Sequence, residues 1–190
     1  MPDPMRPRLV EVDVVAASSQ LDHYHAVTAA FESYHAELYS FLRRSTRDEG
    51  AAEDLLQEAF LRLTWEVEAG RTPEHIRGWL YRVASNLAIS RGRRRMTAFD
   101  WMNRYGRTEQ GDDVESPESG LLARERSSAI DAVLATLPTD ARTALLLSAD
   151  GFSGEEIAAT IGRSHAATRT LISRARVRVR LELERTGDVR

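Results

Sequence analysis

The stretch RSHAATRTLISRARVRVR at 163–180 carries six arginines, and no Asp or Glu lies between Ile157 and Leu181. Among these cations stand the hydroxyls of Ser164, Thr168, Thr170 and Ser173. Guanidiniums fork onto guanine edges and phosphates, and hydroxyls bond base edges or backbone. The pattern attracts a polyanion, within a chain whose net charge is −3. A second basic stretch, HIRGWLYRVASNLAISRGRRR at 75–95, has no acid between Glu74 and Asp100 and combines aromatics with Asn86. Such a helix suits unpaired or distorted DNA, where bases are held singly. Opposite in sign are Glu53, Asp54, Gln57 and Glu58 within AAEDLLQEAFLRLTWEV at 51–67. On composition alone that patch is an ordinary solvated face.

Other chemistries lack their residues. No Ser/His/Asp order, glycine-rich phosphate loop or metal-ligand spacing occurs, so neither catalysis nor a cofactor nor a metal is expected. The histidines of HYH at 23–25 lack further ligands and read as incidental. The absence of cysteine removes disulfides and thiolate sites and fits a reducing compartment. Glu11 and Asp13 interrupt the N-terminal MPDPMRPRLVEVDVVAASSQ, and no run reaches the ~18 apolar residues of a membrane span. A cytoplasmic protein without membrane insertion is expected. All 26 basic residues are arginine, which codon bias explains, so arginine placement rather than identity carries information.

The elements that must position these groups are helical. With 42% hydrophobic and 29% charged residues the chain is globular, and its apolar residues recur at three- and four-residue spacing. The expected class is all-α, with two small helical domains at 26–96 and 124–186. Between them, 97–123 carries a charge of −4 and includes TEQGDDVESPESG, the composition of a flexible acidic linker. Residues 1–25 form an N-terminal extension without assignment. In the second domain, Ser153 and Glu156 have capping-box spacing, Gly162 supplies a tight turn and Ser164 caps the next helix. Two short helices around a glycine turn make a helix-turn-helix. On its second helix, Thr168, Leu171, Ile172, Ala175 and Val179 share the buried side. Arg169, Thr170, Ser173 and Arg174 point away, while Arg176, Arg178 and Arg180 are placed for phosphates. RVRVRLELE at 176–184 alternates like a strand, yet no breaker precedes Gly187, so it is read as the end of that helix.

In the first domain, Leu56, Ala59, Phe60, Leu63 and Val67 line one side of a helix. Next, Ile76, Trp79, Leu80, Val83 and Leu87 share a buried side, with Arg82, Ser85, Asn86 and Arg93 roughly opposite. Trp79 is expected in the core.

In this order, FESYHAELYSFLRR, AEDLLQEAFLRL, GWLYRVASNLAISRGRRR, an acidic linker, LATLPTDARTALLL and GFSGEEIAATIGRS…RTLISRAR resemble bacterial sigma factors of the extracytoplasmic function (ECF) group. The resemblance covers about residues 26–183. It implies that sigma region 2 binds core RNA polymerase, whose β and β′ subunits are the partners, through Asp54, Gln57 and Glu58. It also implies that region 2 opens the −10 element, with Asn86 on a flipped base and the loop at about Gly70–Arg77 in its pocket. Arg82, Arg91, Arg93, Arg94 and Arg95 complete that surface. Region 4 then reads the −35 element through Ser164, His165, Arg169, Thr170, Ser173, Arg174 and Arg176. Promoter DNA is the second partner, and many relatives add an anti-sigma factor. The competing reading is a stand-alone helix-turn-helix regulator that binds duplex DNA without polymerase.

Overall fold

Asp48 starts the second helix by accepting a hydrogen bond from the Ala51 N–H at 2.8 Å, one of the donors a helix start leaves open. The computed structural model describes residues 11–105 and 130–186, with side chains described for 24–97 and 130–185. Helix α1 spans Glu11–Thr46, α2 Glu49–Glu68 and α3 Ile76–Tyr105. The described part of α4 is 130–135. Then follow α5 (Thr139–Ala149), α6 (Gly154–Ile161) and α7 (His165–Thr186). No strand occurs among the described residues, so the all-α expectation is met. RVRVRLELE lies wholly inside α7, because no turn residue interrupts it.

Helix α3 continues past residue 96 to Tyr105, entering the segment read as linker. The rest of that segment, from 106, lies outside the described residues, as does the start of the N-terminal extension. No helix among the described residues is long and apolar enough to cross a membrane.

Helices α1, α2 and α3 pack together around Leu38, Leu42, Leu63 and Leu80, all fully buried. Helices α5, α6 and α7 enclose Leu147, Ile157, Ile161 and Ile172. These two cores are one continuous apolar cluster. Tyr81 of α3 bridges them, with ring centroids 5.0 Å from Phe41 and 5.1 Å from Phe152. Offset and tilted aromatic contacts of this kind add to simple area burial. The Arg77 guanidinium sits 4.9 Å from the centre of the Tyr81 ring and 5.6 Å from that of Phe152. Burial, with Asp150 adding to it, pushes the Tyr81 phenol up to about 12, so the ring that faces Arg77 is neutral.

This seam corrects one sequence expectation. Ser85, placed on the outward side of α3, is fully buried, and its hydroxyl has no hydrogen-bond partner among the described residues. The cause is that α3 packs on two sides, against α1 and α2 and also against α5 and α6. Its buried face therefore widens to include Tyr81, Ala84, Ser85 and Ala88. Trp79, expected in the core, is only half-buried and packs against the core's edge.

Candidate nucleic-acid interface

Helix α6 is fixed at both ends by the sequence features that announce it. The Ser153 hydroxyl accepts from the Glu156 N–H at 3.2 Å, and the Glu156 carboxylate accepts from the Ser153 N–H at 2.7 Å. Hydrogen bonding to Ser153, through its side chain most and its backbone N–H next, holds the Glu156 carboxyl below its ordinary value. Gly162 closes the helix at φ 67, a left-handed conformation that costs glycine little. The Ser164 hydroxyl then accepts from the Ala167 N–H at 3.3 Å and starts α7. An ion pair from Arg163 to Asp140 ties this turn back to α5.

With the turn so held, α7 presents its outer face. Thr168, Ile172 and Ala175 are buried, while Arg169, Thr170, Ser173, Arg174 and Arg176 are exposed. Several of the seven expected contacts are already engaged. Ser164 is the cap, Thr170 donates to the Ala166 carbonyl at 3.0 Å, and Arg176 donates to the Ser148 hydroxyl at 2.8 Å. The His165 ring is exposed but lies against Gly154. Among the described residues Arg169, Ser173 and Arg174 have no side-chain partner, which leaves two guanidiniums and a hydroxyl free to bond a ligand.

On α3 the expected residues divide. At 100° per residue, Arg82, Asn86 and Arg93 share one exposed face, with Arg94 at its margin. None of the four has a side-chain partner among the described residues. Arg91 and Arg95 lie on the opposite side of the helix, facing the seam, and Arg91 pairs with Asp48 at 3.5 Å. The loop before α3 is pinned at both ends: Arg71 pairs with Glu66 at 2.9 Å and Arg77 with Glu37 at 3.0 Å.

The acidic patch on α2 holds its expected members and two that sequence reasoning missed. Asp54 and Gln57 are exposed, and Glu58 accepts from Arg62 at 2.8 Å. Leu61 and Trp65 continue the same face and are 49% and 57% exposed. Large apolar side chains standing beside carboxylates on an outward face mark an interaction surface. Leu61 follows Glu58 by three residues and Asp54 by seven, and Trp65 follows Glu58 by seven; that helical spacing was the available signal.

Comparisons agree with this layout. Residues 30–97 match the family model Sigma-70 region 2, and 127–179 match Sigma-70, region 4. The RNA polymerase sigma-H factor of Pseudomonas aeruginosa is 32% identical over 152 residues, covering 75% of this chain and 78% of the relative. The ECF RNA polymerase sigma factor SigE of Mycolicibacterium smegmatis is 34% identical, covering 77% of this chain and 57% of the relative. Coverage differs among relatives, and the chain spans only 36% of the probable sigma factor RfaY of Xanthomonas campestris. In fold, the chain is similar to the sigma factor RpoE from Bartonella quintana, solved in complex with the anti-sigma factor NepR. That likeness has a TM-score of 0.61 at 22% identity and covers 83% of this chain and 96% of the other. With regions 2 and 4 present in order and kinship to sigma-H over 78% of that relative's length, this chain belongs to the ECF group of the sigma-70 family.

Proposed function

We propose that this chain is a promoter-specificity subunit that joins core RNA polymerase in the cytoplasm and directs it to a defined set of promoters. One observation carries the reading: a single chain pairs an acidic and apolar docking face on α2 with two separate, unpartnered arginine faces on α3 and α7. A stand-alone duplex-binding regulator has use for the α7 face alone. The α2 face, through Asp54, Gln57, Glu58, Leu61 and Trp65, fits a basic partner surface with an apolar centre.

The division of labour follows from chemistry. Arg169, Ser173 and Arg174 read duplex base edges and phosphates at the −35 element. Asn86, with Arg82 and Arg93, holds −10 bases once they leave the stack, which offsets an unstacking cost of a few kcal/mol. The protein performs no catalysis itself and works by binding energy. Core polymerase raises the effective concentration of both DNA surfaces at one promoter. An anti-sigma factor, such as the partner seen with the Bartonella protein, is a further candidate partner.

The test is a pull-down with core RNA polymerase, followed by transcription from the chain's own upstream region. Stable binding with a defined start site is expected, and Asp54→Arg with Glu58→Arg should abolish binding while helicity is retained. Tight duplex binding by the isolated chain, with no affinity for polymerase, would overturn the reading.

A further inference from the structure

The seam between the two helical units leaves a cleft of about 310 Å3. Small-molecule sites begin at about that size. Its walls carry Arg47, Arg91, Arg95 and Arg142 against a single carboxylate, Asp48, so four positive charges less one negative leave three in excess. Asp48 is already engaged, pairing with Arg91 and capping α2. Nothing acidic among the described residues answers the other three guanidiniums.

Arg142 makes this imbalance most acute. It is 5% exposed and has no acidic partner among the described residues. Its Nη1 donates to the Leu134 carbonyl at 3.4 Å and its Nη2 to the Thr139 hydroxyl at 3.5 Å, both at the outer limit for such bonds. Its Nε has no acceptor among the described residues. Burial, together with the neighbouring Arg47, pulls its pKa down to about 10, so at neutral pH the charge remains. A buried charge without a partner is strongly disfavoured unless something supplies the missing bonds. Arg47 stands in the turn that closes α1. Its backbone sits at φ 61, the left-handed region where glycine is the usual occupant, and its side chain lines the same cleft.

We propose that the cleft is a phosphate site, taking a di- or polyphosphate shared by Arg47, Arg95 and Arg142 and clasping the two units together. Guanidiniums bond phosphate oxygens in pairs, and three converging forks match an anion with several terminal oxygens. The site lies on the side of α3 away from Arg82, Asn86 and Arg93, and it does not depend on the promoter reading. The phosphate comes either from a free anion or from a nucleic-acid backbone entering the seam.

The experiment titrates the full chain with sodium pyrophosphate at constant ionic strength, reading calorimetric binding and Tm. Saturable binding and a rising Tm are expected, with no effect from chloride at matched ionic strength. Arg47→Gln and Arg95→Gln, both at exposed positions, should each weaken pyrophosphate binding at least tenfold, whereas Arg185→Gln, remote on α7, should not. Arg142→Met keeps the apolar bulk, and it should raise the Tm of the unliganded chain while abolishing the response to pyrophosphate. A short single-stranded DNA that displaces pyrophosphate from the parent chain assigns the site to a nucleic-acid backbone. Failure to displace assigns it to a free anion. A response that does not saturate, or Arg47→Gln and Arg95→Gln variants that bind like the parent, overturns the proposal.

Discussion

The hydroxyls of Ser45 and Thr143 meet at 2.7 Å with both residues fully buried. Ser45 belongs to α1 and Thr143 to α5, so this one polar contact joins the two helical units inside their shared apolar cluster. Around it, Arg43 pairs with Asp131 at 3.3 Å and Tyr81 lies against Phe152.

Removing one hydroxyl strands the other. Thr143→Val is expected to cost about 1–3 kcal/mol, the penalty for a buried polar group without a partner. Ser45→Ala combined with Thr143→Val should cost clearly less than the two single changes summed. Urea unfolding of the four proteins measures this, and strict additivity would mean the hydroxyls do not meet in solution.

Gly92 gives a sharper test of the seam. A Cβ there would lie 2.7 Å from the Thr139 hydroxyl oxygen and 2.9 Å from its Cβ, well inside normal contact. In a solvated helix, Gly→Ala stabilises by about 1 kcal/mol. Gly92→Ala should instead lower the Tm and enlarge the molecule in solution scattering. A raised Tm with unchanged dimensions would place α3 and α5 apart.

The capping box carries a pH signature. Because Glu156 titrates below its ordinary value in the folded chain, its contribution is present above that value and lost as pH falls through the lower, folded one. Thermal melts should show Glu156→Gln less stable than the parent at pH 7, with the gap closing below about pH 4.5. A gap that is constant with pH would exclude the charge. Ser153→Ala should cost about 1 kcal/mol at neutral pH.

Trp65 should behave as an anchor. Exposed aromatics at the centre of a docking face commonly contribute about 2 kcal/mol or more when buried by a partner. Trp65→Ala is expected to weaken polymerase binding by roughly thirtyfold in competition assays, with fold stability changed by less than about 0.5 kcal/mol. Equal losses in stability and binding would make Trp65 a packing residue.

Arginines on α7 should separate into two kinds. Arg169→Ala should weaken −35 binding by about 1–3 kcal/mol and relax preference at one base pair. Arg180→Ala should weaken all sequences alike and reduce the salt slope by about 1. Titration of holoenzyme on −35 variants across a salt series distinguishes them.

Much of this was legible in the chain because local rules govern it. The Ser153 and Glu156 pairing, the Gly162 turn and the faces of α7 are set by residues within one or two helical turns. The burial of Ser85 was not legible, because helical periodicity describes one packed face and α3 has two. Ser85 is also small enough to fit either surroundings, so its type carried no warning. Leu61 and Trp65 were not singled out, because their spacing puts them on the acidic side of α2, which on composition alone reads as an ordinary solvated face. The basic cleft draws Arg47 from the turn between α1 and α2, Arg91 and Arg95 from α3 and Arg142 from α5, and only tertiary packing brings them together.

On the proposed function, the continuous core bears on how the molecule would measure DNA. While Ser45 holds Thr143 and Tyr81 lies against Phe152, α3 and the second helical unit are kept together, and the proposed readers would match a pair of promoter elements at a single spacer length. With that contact open, the separation would become adjustable and a range of spacers would be accepted. On that reading the strength of the seam sets how strictly the gap between two elements is enforced.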